Sequence, residues 1–111
     1  MSKNVTDLTA SSFDDFTAVE GLAVVDFWAP WCGPCLLMAP QYEKAAKDRP
    51  QYKFGKVDID QEPELAARYQ IVSIPTVTVF NAGHYIGSNP GAVGARQLLQ
   101  VLDQLSGLDR T

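Results

Sequence analysis

The sequence predicts a single layered α/β domain built around a mixed β-sheet. Three observations support this fold class: strand-like and helix-like segments alternate in the first part of the chain, a β-hairpin pattern follows, and an amphipathic helix comes last. With 111 residues, the chain is long enough to bury a core without structural cross-links. It contains no repeat, linker or low-complexity tract, so we expect one domain over residues 1–111.

The first half of the chain indicates two strands and two helices. A strand is predicted at Val5–Leu8, and a short helix at Ser11–Phe16, where serines stand at the N-cap and acidic residues in the first turn. The apolar run at 23–28 has the length of a central strand buried on both faces. A helix is predicted from about 33 to 48, bent at Pro40, with apolar positions Leu36, Met38, Ala39, Tyr42, Ala45 and Ala46.

The second half indicates a strand, a short helix, a hairpin and a final helix. The strand is predicted at Tyr52–Ile59 and the helix at Pro63–Tyr69, with proline in its first turn. The strand Val77–Phe80 is followed by Asn81-Ala82-Gly83, which is typical of a tight hairpin connection into His84–Ile86. The last helix has one predicted apolar stripe, formed by Leu98, Val101, Leu102 and Leu105.

Charge and hydropathy argue against two classes of partner. The formal net charge is −4, and no cluster of Lys and Arg forms a basic stripe, so nucleic acid is not expected as the main partner. No stretch approaches the 18 apolar residues of a membrane span, and the amino terminus lacks the pattern of a secretory leader. We therefore expect a cytoplasmic protein with no membrane partner.

The two cysteines of the chain lie three residues apart in Trp31-Cys32-Gly33-Pro34-Cys35. Two thiols at i and i+3 of a helix start share one face, so a small adjustment joins them as a disulfide. So short a loop removes little entropy from the unfolded chain, and the bond is therefore a poor structural cross-link. The spacing indicates a reversible redox switch.

The position of each cysteine predicts its role. A thiolate attacks a disulfide, and a helix N-terminus stabilises that negative charge. Cys32 is therefore predicted to be the attacking nucleophile, and the more enclosed Cys35 the resolving thiol. Gly33 permits close approach of another chain, and Pro34 fixes the local backbone without removing a needed donor.

Three other interpretations of the cysteine pair remain open. A zinc site normally needs four ligands, whereas the chain has no third cysteine and one histidine, His84. Two structural core cysteines do not suit a loop entering a helix. An inherited but unused motif is the third alternative.

Asp26 interrupts a run that otherwise indicates full burial. Burying a carboxylate without a partner raises its pKa and keeps it neutral near physiological pH. It lies on the strand that leads into the cysteine loop, so we predict that it accepts the Cys35 proton, directly or through water. The alternative is an Asp that caps a neighbouring element or points to solvent.

The segment from Val25 to Cys35 resembles the active-site segment of the thioredoxin family almost position for position. Other family landmarks follow in the expected order: Met38-Ala39-Pro40, Val57-Asp58-Ile59-Asp60, Ser73-Ile74-Pro75-Thr76 and Phe80-Asn81-Ala82-Gly83. The resemblance covers nearly the whole chain. It implies the thioredoxin fold, a mixed five-stranded sheet flanked by four helices.

The same resemblance implies a function and its partners. It implies a protein-disulfide reductase that holds no bound cofactor or metal and acts on disulfide-containing proteins. A thioredoxin reductase drawing on NADPH would return the pair to the dithiol form. We expect such a chain to work as a monomer.

The resemblance also implies further site residues. Pro75 is expected in the cis form against the cysteine pair, with the Ile74 backbone pairing with an extended substrate segment. The resemblance further implies that Trp31, Gly91 and Ala92 complete a shallow apolar groove, which together with Ile74 and Pro75 binds the substrate. Lys56 resembles the family lysine near the buried Asp and is expected to favour the charged form of Asp26.

The chain departs from the family pattern at two places. Leu36 and Leu37 follow Cys35 where the family often has a basic residue first, which predicts a less stabilised thiolate and a more apolar recognition face; a neutral exchange at the helix surface is the alternative. Asn89-Pro90 precedes Gly91, and Pro90 cannot donate to a ladder, so that end is expected at a sheet edge.

Two rival functions remain at this point. A disulfide oxidant or isomerase uses the same chemistry, although Gly33-Pro34 resembles the reducing members of the family. A binding module would hold a partner on the apolar face around the cysteines without turnover.

Overall fold

The computed structural model describes residues 4–108, and within that range it shows five strands and four helices. The predicted mixed sheet flanked by four helices is confirmed. No helix in the described range is long and apolar enough to cross a bilayer. The elements, in chain order, are β1 (Val5–Asp7), α1 (Phe13–Thr17), β2 (Leu22–Trp28), α2 (Gly33–Asp48), β3 (Lys53–Asp58), α3 (Pro63–Arg68), β4 (Thr76–Asn81), β5 (His84–Pro90) and α4 (Ala95–Leu108).

The strands form one sheet in the order β1-β3-β2-β4-β5. The first three strands in this order are parallel, whereas β4 runs antiparallel to β2, and β5 antiparallel to β4. Parallel neighbours end at the same edge of a sheet, and the last residues of β2 and β3, Trp28 and Asp58, are indeed paired. The loop after β2, which carries the cysteines, therefore lies beside the loop after β3.

Strand β2 is buried on both faces, as predicted. Val24 packs in a cluster with apolar residues of α2 and α4. Val25 and Phe27 pack on the opposite face with apolar residues of α1 and α3. Because side chains alternate along a strand, Asp26 shares the face of Val24 and lies under α2.

The hairpin between β4 and β5 is confirmed. Ala82 and Gly83 both have positive φ, 51° and 84°, which suits a two-residue turn between paired strands. β5 continues to Pro90, beyond the predicted end at Ile86, and it lies at the edge of the sheet, where a missing proline donor is tolerated. His84 is the first residue of β5, directly after the turn.

The short helix predicted at Ser11–Phe16 is present as α1, and Ser12 stands at its N-cap as expected. The helix itself begins at Phe13, and the Ser12 side chain makes no capping hydrogen bond. Its hydroxyl instead accepts a hydrogen bond from the Thr9 N–H at 3.0 Å. The serines thus form a turn before the helix, which is the usual competition between such side chains and the helix backbone.

The predicted apolar faces of two helices need correction. In α4 the buried residues include Leu98, Leu99 and Leu102, whereas Val101 is 45% exposed. The helix packs with both α2 residues and the sheet, and this double contact turns Leu99 inward in place of Val101. In α2, Leu36 and Ala39 are exposed at the helix edge, since the buried face follows Cys35, Met38 and Tyr42, together with Ala45 and Ala46.

The remaining boundaries differ from the predicted ones by at most one residue at either end, a normal uncertainty for boundaries read from a sequence. The strand predicted at Val5–Leu8 ends at Asp7, and the strand predicted at Tyr52–Ile59 spans Lys53–Asp58. The strand predicted at Val77–Phe80 gains one residue at each end, and the helix predicted at Pro63–Tyr69 ends at Arg68. Helix α2 runs from Gly33 to Asp48 and includes Pro40, as predicted.

Candidate active site

The cysteine pair stands at the N-terminus of α2, as predicted. Cys32 is the N-cap residue in an extended conformation, and Gly33 and Pro34 begin the helix. Cys32 and Cys35 are joined as a disulfide with their Cα atoms 5.2 Å apart. The Cys35 N–H donates a hydrogen bond to Cys32 Sγ at 3.2 Å, so a backbone donor of the first helical turn points at this sulfur. A thiolate at Cys32 would receive the same bond in its charge-assisted form.

The two cysteines differ little in burial. Cys32 is 5% exposed and Cys35 is 2% exposed, so the predicted order holds with a small margin. Apolar side chains of Trp28, Ile59 and Ile74 pack against the pair. Little of the Cys32 side chain is therefore accessible to a partner.

The segment Ile74–Pro75 lies directly beside the pair. The Ile74–Pro75 peptide bond is cis, which confirms the expectation drawn from the family resemblance. Cys32 Sγ lies 3.8 Å from the Ile74 carbonyl oxygen, and the Gly91 N–H donates to the Pro75 carbonyl at 2.8 Å. The structure thus brings together Cys32, Ile74, Pro75 and Gly91, which lie far apart in the sequence, and it leaves Ala92 exposed next to them.

Trp31 lies at the edge of this region with 67% of its surface exposed. Its ring N–H donates to the Asp60 carboxylate at 2.9 Å, which holds the side chain in place. Other apolar side chains exposed on α2 and the loop before Pro75 are Leu36 at 52%, Leu37 at 82% and Val72 at 95%. The apolar exposure predicted for Leu36 and Leu37 is therefore present.

Asp26 is buried, with 4% of its surface exposed. Both Asp26 and Cys35 line a cavity of about 160 Å³ under the first turns of α2. Burial raises the pKa of Asp26 to about 7, and the positive charge of Lys56 acts in the opposite direction. Its Oδ1 has no hydrogen-bond partner among residues 4–108. This burial excludes the alternative of a solvent-facing Asp26, and its Oδ1 caps no neighbouring element within the described residues.

Lys56 lines the same cavity, as its resemblance to the family lysine implied. Its ammonium lies 5.0 Å from the centre of the Trp28 ring and 3.7 Å from Asp7 Oδ1. Tyr42 closes the cavity on the α2 side, where its hydroxyl lies 2.7 Å from the Gly55 carbonyl and 3.1 Å from that of Val24. The pKa of Tyr42 lies well above its usual range, first because of burial and then because of the Asp26 charge.

Sequence reasoning missed three residues of this region as site residues: Asp7, Tyr42 and Asp60. Asp60 follows β3 at the sheet edge where the cysteine loop follows β2, so the parallel pairing of these strands was the pattern that pointed to it. Tyr42 was assigned only to the apolar face of α2. No sequence pattern pointed to Asp7, because its position beside Lys56 depends on the register of β1 against β3.

Within residues 4–108, no group of three or more His, Cys, Asp or Glu side chains is arranged to hold a metal ion. The single histidine lies at the start of β5 and the cysteines at the start of α2. The zinc interpretation therefore has no support in the geometry.

Comparison with known proteins agrees with this site. The thioredoxin family model matches residues 4–104. Thioredoxin-1 of Saccharomyces cerevisiae is 40% identical over 89 residues, which cover 77% of this chain and 86% of the yeast protein. The crystal structure of a thioredoxin from Malassezia sympodialis superposes with a TM-score of 0.82 at 31% identity, and the match covers 92% of this chain and 90% of that one.

A third relative combines two activities in one polypeptide. The bifunctional thioredoxin reductase/thioredoxin of Mycobacterium leprae is 42% identical over 102 residues, which cover 91% of this chain but 22% of that protein. The family match, the relatives and the joined cysteine pair lead to one conclusion. This chain belongs to the thioredoxin family, and it is a thiol–disulfide oxidoreductase that reduces protein disulfides.

Proposed function

We propose that Cys32 and Cys35 divide the reduction of a protein disulfide into two exchange steps. The Cys32 thiolate attacks one sulfur of the substrate disulfide, forming a mixed disulfide and releasing the other substrate sulfur as a thiolate. The Cys35 thiolate then attacks Cys32 Sγ, which forms the Cys32–Cys35 disulfide and releases the second substrate thiol. The substrate gains two electrons, and the cysteine pair loses two. The observation that carries this assignment is the helix N–H that points at Cys32 Sγ.

Asp26 is the proton acceptor for Cys35 in the second step. Both residues line one cavity, which has room and polar partners for bridging water. A carboxyl whose pKa is about 7 ionises near physiological pH, which suits a general base better than an ordinary Asp does. Lys56 modulates this group through its positive charge.

Substrates bind across the face around the cis proline. The Ile74 peptide lies outside the strands, so its backbone is open to pairing with an extended substrate segment near Cys32. This segment is bordered by Trp31, Pro75, Gly91 and Ala92. Next to Cys32, Gly33 and Pro34 leave room for a partner to approach its sulfur. Most of this surface is apolar, so we expect substrate segments with apolar residues next to the disulfide.

A thioredoxin reductase regenerates the dithiol with electrons from NADPH, so the chain itself needs no bound cofactor. The fused reductase and thioredoxin of Mycobacterium leprae supports such a partnership. We further propose that the protein acts as a monomer in the cytoplasm, where thiols are kept reduced, and that neither nucleic acid nor a membrane is its partner.

Two single substitutions test the division of roles. Cys35→Ser should leave the first step intact and trap a stable mixed disulfide with a protein substrate, because the resolving sulfur is missing. Cys32→Ser should neither reduce insulin nor trap a substrate. Mass spectrometry of the trapped product after incubation with oxidised insulin measures both. A trapped substrate with Cys32→Ser and none with Cys35→Ser would reverse the assignment.

The exposed apolar side chains around Trp31 favour a second candidate, a binding role without turnover. Replacing both Cys32 and Cys35 with Ser separates the two functions. Loss of biological activity in the double variant supports catalysis, whereas retained activity supports binding. Equilibration against a glutathione buffer separates a reductase, with a strongly reducing potential, from an oxidant or isomerase.

A further inference from the structure

Three charged residues form a row across the parallel strands. In the strand register, Asp7 of β1 is paired with Lys56 of β3, and Lys56 is paired with Asp26 of β2. Side chains at paired positions of neighbouring strands project from the same face of a sheet. One ammonium group therefore stands between two carboxyl groups, one at the exposed end of the row and one buried.

The ammonium group is engaged at the exposed end. Lys56 Nζ lies 3.7 Å from Asp7 Oδ1, and the Lys56 side chain also lies over the Trp28 ring at 5.0 Å. Within the described residues, this ion pair with Asp7 is the one that Lys56 makes, and Asp26 Oδ1 has no partner. Lys56 thus acts on Asp26 through space and not through a hydrogen bond to that oxygen.

We propose that Asp7 is a positioning residue, which holds the Lys56 ammonium at the outer end of this row and so preserves the basicity of Asp26. Without Asp7, the flexible Lys56 side chain is free to approach Asp26 and stabilise its carboxylate. Asp26 then becomes a weaker base. The two carboxylates also repel each other, and removal of Asp7 ends this repulsion. Both effects favour the ionised form of Asp26. The effect of Asp7 on catalysis rests on the proposed role of Asp26, whereas the effect of Asp7 on the titration of Asp26 does not.

The other groups around Asp26 do not replace Lys56. On α2, Cys35 is in the disulfide, the Tyr42 hydroxyl is engaged by backbone carbonyls, and Glu43 brings a further negative charge to the cavity wall. On β2, Trp28 contributes an indole, and on β4 the residue paired with Asp26 is the apolar Val77. Lys56 is the cation among the residues that line this cavity, so its position decides how much positive charge Asp26 meets.

The exposure of the Asp7–Lys56 pair makes the test feasible. The side chains are 72% and 31% exposed, and ion pairs of this kind contribute little to folding stability. Asp7→Asn should therefore fold normally while its charge is lost. Asp15 is an exposed aspartate in the first turn of α1, and Asp15→Asn is the control with the same change in net charge.

The titration of Asp26 can be followed by NMR of its carboxyl carbon in the oxidised protein, in which the cysteines do not titrate. Asp7→Asn should move the Asp26 midpoint to lower pH by roughly half a pH unit, about a threefold change in the ratio of ionised to protonated carboxyl. Asp15→Asn should leave the midpoint in place, and Asp7→Glu should restore it. An unchanged midpoint in Asp7→Asn overturns the inference.

The double variant shows whether Lys56 carries the effect. With Lys56→Gln in the background, Asp7→Asn should change the Asp26 midpoint much less than it does in the original protein. An equal change in both backgrounds overturns the positioning role, because direct repulsion would then explain the whole shift.

The rate of mixed-disulfide resolution separates this inference from the proposed function. A midpoint that moves in the NMR titration together with the pH profile of resolution supports both. A midpoint that moves while the profile stays in place supports the positioning role of Asp7 and refutes Asp26 as the acceptor of the Cys35 proton.

Discussion

Asp26 and Asp103 are the same residue type in opposite environments. Asp103, on α4, accepts hydrogen bonds from Arg49 at 3.1 and 2.8 Å and from the Tyr52 hydroxyl at 2.7 Å, and these donors lower its pKa. Asp26 is buried with one carboxyl oxygen unpartnered among the described residues, and burial raises its pKa to about 7.

The difference shows that hydrogen-bond donors and exposure to water, and not residue type, decide at which pH a carboxyl group ionises. Asp103 stays ionised and links the end of α2 to α4 through a surface ion pair. Asp26 exchanges its proton near neutral pH and lies in the cavity that reaches Cys35. The Asp103 carboxyl serves structure and the Asp26 carboxyl has the proposed chemical role, and substitutions can make the environment of each resemble that of the other.

The largest expected effect is on how the folding stability changes with pH. The folded pKa of Asp26 lies above its unfolded value of 3.8, so the folded protein binds one more proton between these values, and stability falls as pH rises from about 4 to about 7. The loss amounts to about 4 kcal/mol when complete. Asp26→Asn should lack it. In urea unfolding of the oxidised proteins, the original protein and Asp26→Asn should therefore have similar free energies of unfolding at pH 4. At pH 8, Asp26→Asn should be clearly more stable than the original protein.

Asp103→Asn is the control for this comparison and should retain the full pH dependence due to Asp26. If the curves of Asp26→Asn and the original protein run parallel from pH 4 to pH 8, burial does not perturb Asp26 as described.

A second effect concerns catalysis. Asp26→Ala should slow resolution of the mixed disulfide about 100-fold at pH 7, while its formation changes little, because only resolution requires Cys35 to lose a proton. Rapid-quench kinetics with an aromatic disulfide separate the two steps. Asp103→Ala should match the original protein in both. Equal slowing of formation and resolution by Asp26→Ala contradicts the assigned role.

A third change makes Asp26 resemble Asp103. Leu36 lines the Asp26 cavity, so Leu36→Lys adds a cation there, as Arg49 does for Asp103. The Asp26 midpoint should fall by roughly half a pH unit in an NMR titration. Leu37→Lys is the matched control, since Leu37 is 82% exposed and does not line the cavity. Equal shifts from both variants would indicate a general charge effect.

The smallest effect is expected at Asp103. Because its folded pKa is lowered, its contribution to stability is present above the usual Asp pKa and is lost as pH falls through the folded value. Asp103→Asn should lower Tm by about 2–4 °C at pH 7, less at pH 3, and leave insulin reduction unchanged. A loss that persists undiminished at pH 3 would point to packing instead of charge.

Local patterns predicted most of the fold and the centre of the site. The apolar run of β2, the cysteine spacing and the lone Asp26 each depend on neighbours within a few residues, and the structure places all of them as expected. Helix faces were less predictable. Leu99 is buried and Val101 exposed because α4 packs with both α2 and the sheet, and a helical stripe alone does not specify that docking angle.

The proposed roles of Cys32, Cys35 and Asp26 were predicted from the sequence by itself, because their spacing and the polarity of their immediate surroundings are local properties. The tertiary structure alone decided that Lys56 pairs with Asp7, that Trp31 is held by Asp60 and that Gly91 binds the Pro75 carbonyl. Each of these contacts joins segments far apart in the chain. Strand register and loop placement create them, and both are outcomes of packing the whole domain.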